Sequence, residues 1–289
     1  MGLMVLREVH LDGKADLHMH TVHSDGALAP TELVKKAQKV GLKTISITDH
    51  DSVNGLDEAI KVGTELDVVV IPGVELSATI NKKEIHLLGY FINHHDKQLL
   101  EFLSALRGQR VKRAERIVDK LNKMNVPIKM KSVLDNAGNG SVGRPHVAEA
   151  LVQGGYVQSY QEAFDKYIKD GAPAYEQRQE VSPTEMMKLV TGAGGLTFLA
   201  HPGRSYDDET VARLIDMGLD GIEVVHPSHS QTTIQHFRRF VHEHYLLESG
   251  GSDFHGGMKG DDNVLGTVTI TGQVVNNMRR RLFSMYDDQ

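Results

Sequence analysis

Histidine and carboxylate residues recur in this chain just where short apolar runs end, and that arrangement narrows the possible folds more than any other feature. The runs at 44–48, 68–71, 85–92, 196–200, 221–225 and 264–270 read as strands. Between them, 31–40, 55–63, 184–193, 209–217 and 232–247 carry the spacing of amphipathic helices. Pro30 ahead of Thr31 and Glu32 suits a helix start, and Gly41 a helix stop. Strand and helix units in alternation predict an α/β fold around a mostly parallel sheet or barrel.

A barrel gathers its working side chains where its strands end. The polar segments that fall there are, in order, Asp16-Leu17-His18-Met19-His20, Ser24-Asp25-Gly26, Thr48-Asp49-His50-Asp51, Pro72-Gly73-Val74-Glu75, Ile85-His86, Ala200-His201-Pro202 and Gly251-Ser252-Asp253-Phe254-His255. On an extended strand, H-x-H spacing points both imidazoles to one side, so His18 and His20 can share an ion. Asp253 and His255 repeat that spacing. Each segment alone has an ordinary explanation: a surface pair, a turn, a cap, a satisfied strand histidine. Together they imply a metal site, because burying so many titratable groups without cations carries a large desolvation cost.

The same segments carry a family resemblance. DLHMHTVHSDG, ITDHD, PGVELS, AHP and GSDFH, in this order, resemble the polymerase and histidinol phosphatase (PHP) family, and within it the stand-alone nucleotide phosphoesterases, over about 14–90 and 195–256. The resemblance implies a distorted (β/α)7 barrel with two or three divalent ions, usually manganese, zinc or iron. It assigns His18, His20, Glu75 and Asp253 to a first ion. Glu75 would bridge to a second ion held also by His86 and His201, and Asp25, His50 and His255 would hold a third. Many family members have histidine where Asp25 stands, whereas the nucleotide branch is similar to this chain in having aspartate.

Between about 94 and 179 no convincing strand appears, only helical patterns at 98–124, 145–153 and 159–169. The expected organisation is therefore a barrel from 1–93 and 180–289 with a small helical insertion, 94–179, covering the site. Leu99, Leu103, Leu106, Ala114, Ile117 and Leu121 form one apolar stripe, while Arg107, Arg110, Arg113 and Arg116 follow another side, read as a solvated face with nucleic-acid contact as the alternative. Arg144 and His146 open a helix within the insertion, which makes a natural anion site. Arg204 and Ser228 are further substrate-binding candidates, and His229 is a candidate proton donor to the leaving oxygen, with phosphate binding or helix capping as its other readings.

The chemistry follows from the donors. A water between divalent ions is far more acidic than bulk water, whose pKa of about 15.7 a single zinc already lowers to near 7. Two or three dications against three carboxylates leave a positive pocket suited to a phosphate ester. No serine or cysteine nucleophile is required. By resemblance the expected substrates are nucleoside monophosphates, nucleoside 3',5'-bisphosphates or the 5' end of short RNA, and a small capped pocket favours the first two. Histidinol phosphate hydrolysis, a non-catalytic metal-binding module and a metal-dependent amide hydrolase are the competing readings.

Composition bounds the rest. With 32 basic against 38 acidic residues in 289, the surface as a whole is not built for nucleic acid. The absence of cysteine excludes disulfides and thiol chemistry and suits a reducing compartment. No run of about 18 apolar residues occurs, and MGLMVLREVH lacks a signal-peptide core, so the expectation is a cytoplasmic protein with no membrane contact and no obligate protein partner.

Overall fold

The computed structural model of the chain describes residues 12–203, 206–257 and 260–287. In chain order its elements are β1 (Lys14–Asp16), α1 (Pro30–Lys39), β2 (Leu42–Ile47), α2 (Leu56–Glu65), β3 (Val69–Ile80) and β4 (Lys83–Tyr90). There follow α3 (Lys97–Lys123), α4 (Met130–Ala137), α5 (Arg144–Gln153) and α6 (Tyr160–Ala163), which runs into a π-helical turn, Phe164–Ile168. The chain then returns through α7 (Pro183–Gly192), β5 (Leu196–Leu199), α8 (Asp208–Asp216), β6 (Gly221–Val225), α9 (Gln231–Glu243), β7 (Leu247–Gly250), β8 (Ile270–Thr271) and α10 (Gly272–Asp287).

The strands form one sheet in the order β7-β6-β5-β4-β3-β2-β1-β8. It curls until β7 meets the segment after β1: Leu17 N donates to Gly250 O at 3.1 Å and His20 N to Phe254 O at 2.9 Å. At this seam only glycine fits at 251, since an added Cβ would lie 2.4 Å from His18 N. The result is the expected distorted barrel, nearly closed, with β8 added antiparallel to β1. β1 to β3 and β5 to β7 are parallel runs, but β4 is antiparallel to both its neighbours. The departure from a mostly parallel sheet comes from a tight hairpin, in which Asn81 and Lys82 take positive φ (50° and 64°) and leave no room for a crossover helix.

Two further expectations are corrected. Most of 264–270 is turn, and only Ile270 joins β8. The helix expected over 232–247 ends as α9 at Glu243, and Leu247 begins β7. The positive φ of Tyr245 (55°) turns the chain between them.

Apolar residues divide into three clusters. Helices α1, α2, α7, α8 and α9 pack outside the barrel through residues such as Leu33, Val34, Met186, Leu214 and Phe237. Inside, Leu17, Leu88, Tyr90 and Phe198 stack above Val275, Met278 and Leu282 of α10. The third cluster lies within 114–174. Helix α3, roughly 40 Å long at 1.5 Å per residue, belongs to two of them. Leu99, Leu103 and Leu106 enter the outer barrel core, whereas Ala114, Ile117 and Leu121 enter the third cluster with Val133, Val147 and Leu151. The expected apolar stripe is thus shared between two cores. Among the described residues no helix is long and apolar enough to cross a membrane.

Candidate metal centre

The strand ends deliver their polar side chains to one place. His18 and His20 follow β1 and are fully buried. Asp49 fixes the loop beyond them by accepting from Thr21 N (2.7 Å), Thr21 Oγ1 (2.5 Å) and Ser24 Oγ (2.6 Å), which brings Asp25 inward. A parallel bridge between His50 and Glu75 sets the end of β2 beside β3. On the next strand Ala200 N donates to His86 O, so His201 stands beside His86. Asp253 and His255 arrive across the seam after β7. Left-handed backbone at His201 (φ 29°) and Asp253 (φ 50°) marks two of these strand ends as strained, a cost borne to aim the side chains.

Glu75 stands at the middle. Its Oε2 lies 3.4 Å from His18 Nε2, 3.3 Å from His20 Nε2 and 3.1 Å from His50 Nδ1. Its Oε1 lies 2.8 Å from His86 Nδ1 and 3.2 Å from His201 Nε2. Asp253 Oδ1 is 3.4 Å from His18 Nε2 and 3.2 Å from His20 Nε2. Asp25 Oδ1 is 3.4 Å from His255 Nε2 and 4.0 Å from His50 Nε2. Metal–ligand bonds of about 2.0–2.2 Å put neighbouring ligand atoms roughly 3 Å apart, the spacing found here. Four overlapping groups able to hold an ion result: His18, His20 and Asp253; Glu75, His86 and His201; His20, Asp25 and His255; and His20, His50 and Glu75. His50 instead joins His20 and Glu75, with its Nδ1 toward Glu75.

The bonding state of these atoms tests whether the site fits cations. His20 Nε2 and His50 Nδ1 are buried within 3.3 Å of carboxylate oxygens yet make no hydrogen bond. Their lone pairs share a common space instead of a donor. Burial alone would raise Glu75, but the imidazoles of His50, His86 and His18 hold it well below the usual carboxylate range. Burial would lower His18 and His86, but Glu223, Asp253 and Glu75 drive His18 well above its ordinary value, and Glu75 and Glu84 bring His86 to about 9. The carboxylates thus draw positive charge onto the rings, and divalent cations would supply that charge without protons. The donor set fits metal.

The other candidates fall differently. Arg144 lines a cavity of about 610 Å³ beside Asp25, His50 and His86, with its Nη1 2.7 Å from Asp170 and its guanidinium over Phe164 and Tyr175. His146 is buried and accepts from Gly143 N at 3.0 Å, so it serves its own helix start and does not line the cavity. Arg204 lies outside the described residues. Ser228 is exposed and its N donates to His226 Nδ1. His229 has both ring nitrogens engaged, accepting from Gly203 N (2.9 Å) and donating to Val224 O (2.9 Å), which leaves no ring proton for a substrate. The arginine row is not a solvated face. Arg110 Nε binds Asp51 Oδ2 at 2.5 Å, Arg107 Nη1 donates to Asp51 O, Arg113 is buried against Glu84 and Glu176 O, and only Arg116 is well exposed.

Two residues escaped the sequence reading. Glu223, fully buried, accepts from His18 Nδ1 (2.9 Å) and from His201 N (2.7 Å). His226 places Nε2 3.5 Å from Asp253 Oδ2. A lone carboxylate within the apolar run Gly221–Val225, with a histidine directly after it, was the available signal.

Known proteins resemble this chain along most of its length. A family model described as the PHP domain matches residues 16–172. A 5'-3' exoribonuclease from Haemophilus influenzae is 34% identical over 250 residues, spanning 84% of this chain and 90% of that protein. A 3',5'-nucleoside bisphosphate phosphatase from Chromobacterium violaceum is 32% identical over 255 residues, spanning 86% and 90%. A solved structure of a metal-dependent phosphoesterase from Bifidobacterium adolescentis superimposes with a TM-score of 0.85 at 32% identity, covering 95% of this chain and 98% of that one. Fold and site together define a metal-dependent phosphoesterase, a hydrolase that uses divalent ions. The chain belongs to the PHP family.

Proposed function

We propose that the enzyme hydrolyses phosphate esters of nucleotides, with nucleoside monophosphates and 3',5'-bisphosphates ahead of RNA 5' ends. The observation that carries the proposal is the cavity of about 610 Å³, lined by Asp25, His50 and His86 together with Arg110, Arg113, Arg144, Tyr160 and Phe164. Pockets of roughly 300–1,000 Å³ suit ligands of nucleotide size. Guanidiniums and aromatic faces are what a second phosphate and a base require. The names of the relatives, an exoribonuclease and a bisphosphate phosphatase, support the same substrate class. Nucleotide substrates and the lack of cysteine support a cytoplasmic setting.

In this reading His18, His20, Glu75 and Asp253 hold one ion, Glu75, His86 and His201 a second, and Asp25 and His255 a third that His50 reaches only through Nε2, 4.0 Å from Asp25 Oδ1, with manganese, zinc and iron all suited to the donors. Bound, the ions supply a nucleophilic water of lowered pKa and offset phosphoryl charge. Arg144 orients the substrate, while Arg110, held by Asp51 and Ser77, adds fixed positive charge to the wall. His226, whose Nδ1 accepts from Ser228 N at 3.1 Å, keeps its proton on Nε2 facing Asp253 and takes the donor role first considered for His229.

The test is phosphate release by protein loaded in turn with Mn²⁺, Zn²⁺ and Fe²⁺, across nucleotides phosphorylated at the 2', 3' and 5' positions, short RNAs and histidinol phosphate. Release from nucleotides, abolished by His18→Ala, is expected. Preferential turnover of histidinol phosphate, or no release from any nucleotide or RNA, would overturn the proposal.

A further inference from the structure

We infer that Glu223 is a positioning residue that couples two parts of the metal centre by fixing a ring of one and the backbone of the other. The inference rests on the proposed ligand set and extends it to a side chain outside that set. One carboxylate oxygen, Oε1, lies 2.9 Å from His18 Nδ1; the other, Oε2, accepts from His201 N at 2.7 Å. His18 comes from the end of β1 and His201 from the end of β5, so one buried side chain on β6 spans both.

Each contact has its own consequence. An acceptor at Nδ1 fixes the His18 proton there and leaves the Nε2 lone pair facing Glu75 Oε2 and Asp253 Oδ1, both at 3.4 Å. A carboxylate behind a ligating imidazole also raises its basicity. The bond to His201 N holds a residue whose φ of 29° is unfavourable without support. Glu75 divides its two oxygens between His18 and the His86–His201 pair from the front; Glu223 divides its own between His18 and His201 from behind. Asp16 and Asp49 differ in kind, since the first accepts from backbone N–H of His18 and Ser252 and the second from Thr21 and Ser24, and neither touches a ligating ring. A glutamine at 223 would keep the volume but offers one acceptor oxygen, so one of the two bonds is lost.

The experiment compares the full chain with Glu223→Gln by chelator-competed Co²⁺ titration, the visible Co²⁺ spectrum, circular dichroism and metal-free melting. The expected result is Co²⁺ binding to the folded variant weaker by roughly 10- to 100-fold with an altered spectrum, whatever the change in metal-free melting. A purely structural glutamate would lower metal-free melting and leave the Co²⁺ spectrum of the folded fraction unchanged; that outcome overturns the inference. Unchanged affinity and spectrum overturn it as well, with the metal reading intact. Native protein that binds no Co²⁺ sinks both. Should the variant not fold, the native Co²⁺ form is read by proton magnetic resonance in water. A slowly exchanging, hyperfine-shifted ring N–H is expected for His18 Nδ1, and rapid exchange of every such proton overturns the inference.

Discussion

His50 and Asp51 are neighbours in the chain but belong to opposite kinds of buried polar assembly. Asp51 is fully buried and its hydrogen bonds are complete: Arg110 Nε and Arg178 Nη2 reach Oδ2 at 2.5 and 2.6 Å, Ser77 N reaches Oδ1, Arg107 reaches the carbonyl, and its own N–H donates to Glu75 O. His50 Nδ1 lies 3.1 Å from Glu75 Oε2 and makes no hydrogen bond. A buried polar group with every bond made ties elements together; here it joins α3 and the chain before α7 to the barrel. Buried donors that crowd without bonding are costly unless a ligand completes them. The two neighbours therefore differ in their own bonding, since every polar atom of Asp51 is engaged and His50 Nδ1 is not, although Arg178 beside Asp51 also keeps Nε and Nη1 without a hydrogen bond.

The contrast breaks most sharply at Glu75. Glu75→Ala is expected to lower phosphate release by at least about a thousandfold, because several kcal/mol of charge stabilisation go with the lost ions. Added metal, which should raise the melting temperature of the native chain, should leave that of the variant unchanged, because the shared ligand has gone. Elemental analysis and melting curves check both halves, and activity within tenfold of native would erase the distinction. Asp51→Ala should do the reverse, costing about 3–5 kcal/mol of stability by stranding Arg110 and Arg178, while the folded protein still binds metal. Denaturant titration measures the first and Co²⁺ titration the second.

Acid sharpens the same comparison. Burial alone would raise the Asp51 carboxyl, but Arg110 and Arg178 hold it below the ordinary aspartate value of 3.8. Its folded pKa is therefore depressed, so the stability it adds over Asp51→Asn is fully present above the unfolded pKa and is lost as the pH falls toward the folded one. Chemical denaturation of both proteins from pH 7 down to about 3 should show the gap narrowing only at the acid end. A gap that widened there would mean that the arginines do not stabilise the charged form. Metal gives a smaller, opposite signature: Mn²⁺ at 100 times its Kd should add about 2.7 kcal/mol to the native chain and to Asp51→Asn alike, reversed by chelator.

How much of this was legible in the sequence depended on period and on chemistry. Runs such as 221–225 have one reading, and β6 falls on those residues. The alternation at 264–270 mimicked a strand because nothing local reports that a turn there packs Leu265 against the outer core. The nine candidate ligands were visible because His and Asp or Glu beside strand ends are chemically conspicuous, and the chain brings all nine to one barrel mouth. Glu223 was not, because a single carboxylate in GIEVV looks like a lapse in an apolar run until His18 is seen behind it. The arginine row was misread for a related reason: helical spacing gives a side chain's direction but not what faces it, and Asp51, Glu84 and Glu176 come from distant parts of the chain.

The smallest expected effect falls at the wall of the cavity, where the two kinds of assembly meet. Arg144 is half satisfied: its Nη1 holds the exposed Asp170 at 2.7 Å, while Nη2 stands 3.9 Å from Glu84 and the guanidinium borders the cavity. A phosphate bound there must compete with Asp170 in a wet setting, so the loss on truncation should be about 1.4 kcal/mol, a tenfold change, at the low end for a charged hydrogen bond. Because Arg144 would grip a part of the substrate that does not react, Arg144→Ala should raise KM for a 3',5'-bisphosphate and leave kcat nearly unchanged. For a monophosphate lacking the second group, KM should barely move. Steady-state kinetics on the two substrates separates the cases, and an equal fall in kcat for both would move Arg144 from the binding wall to the reacting centre.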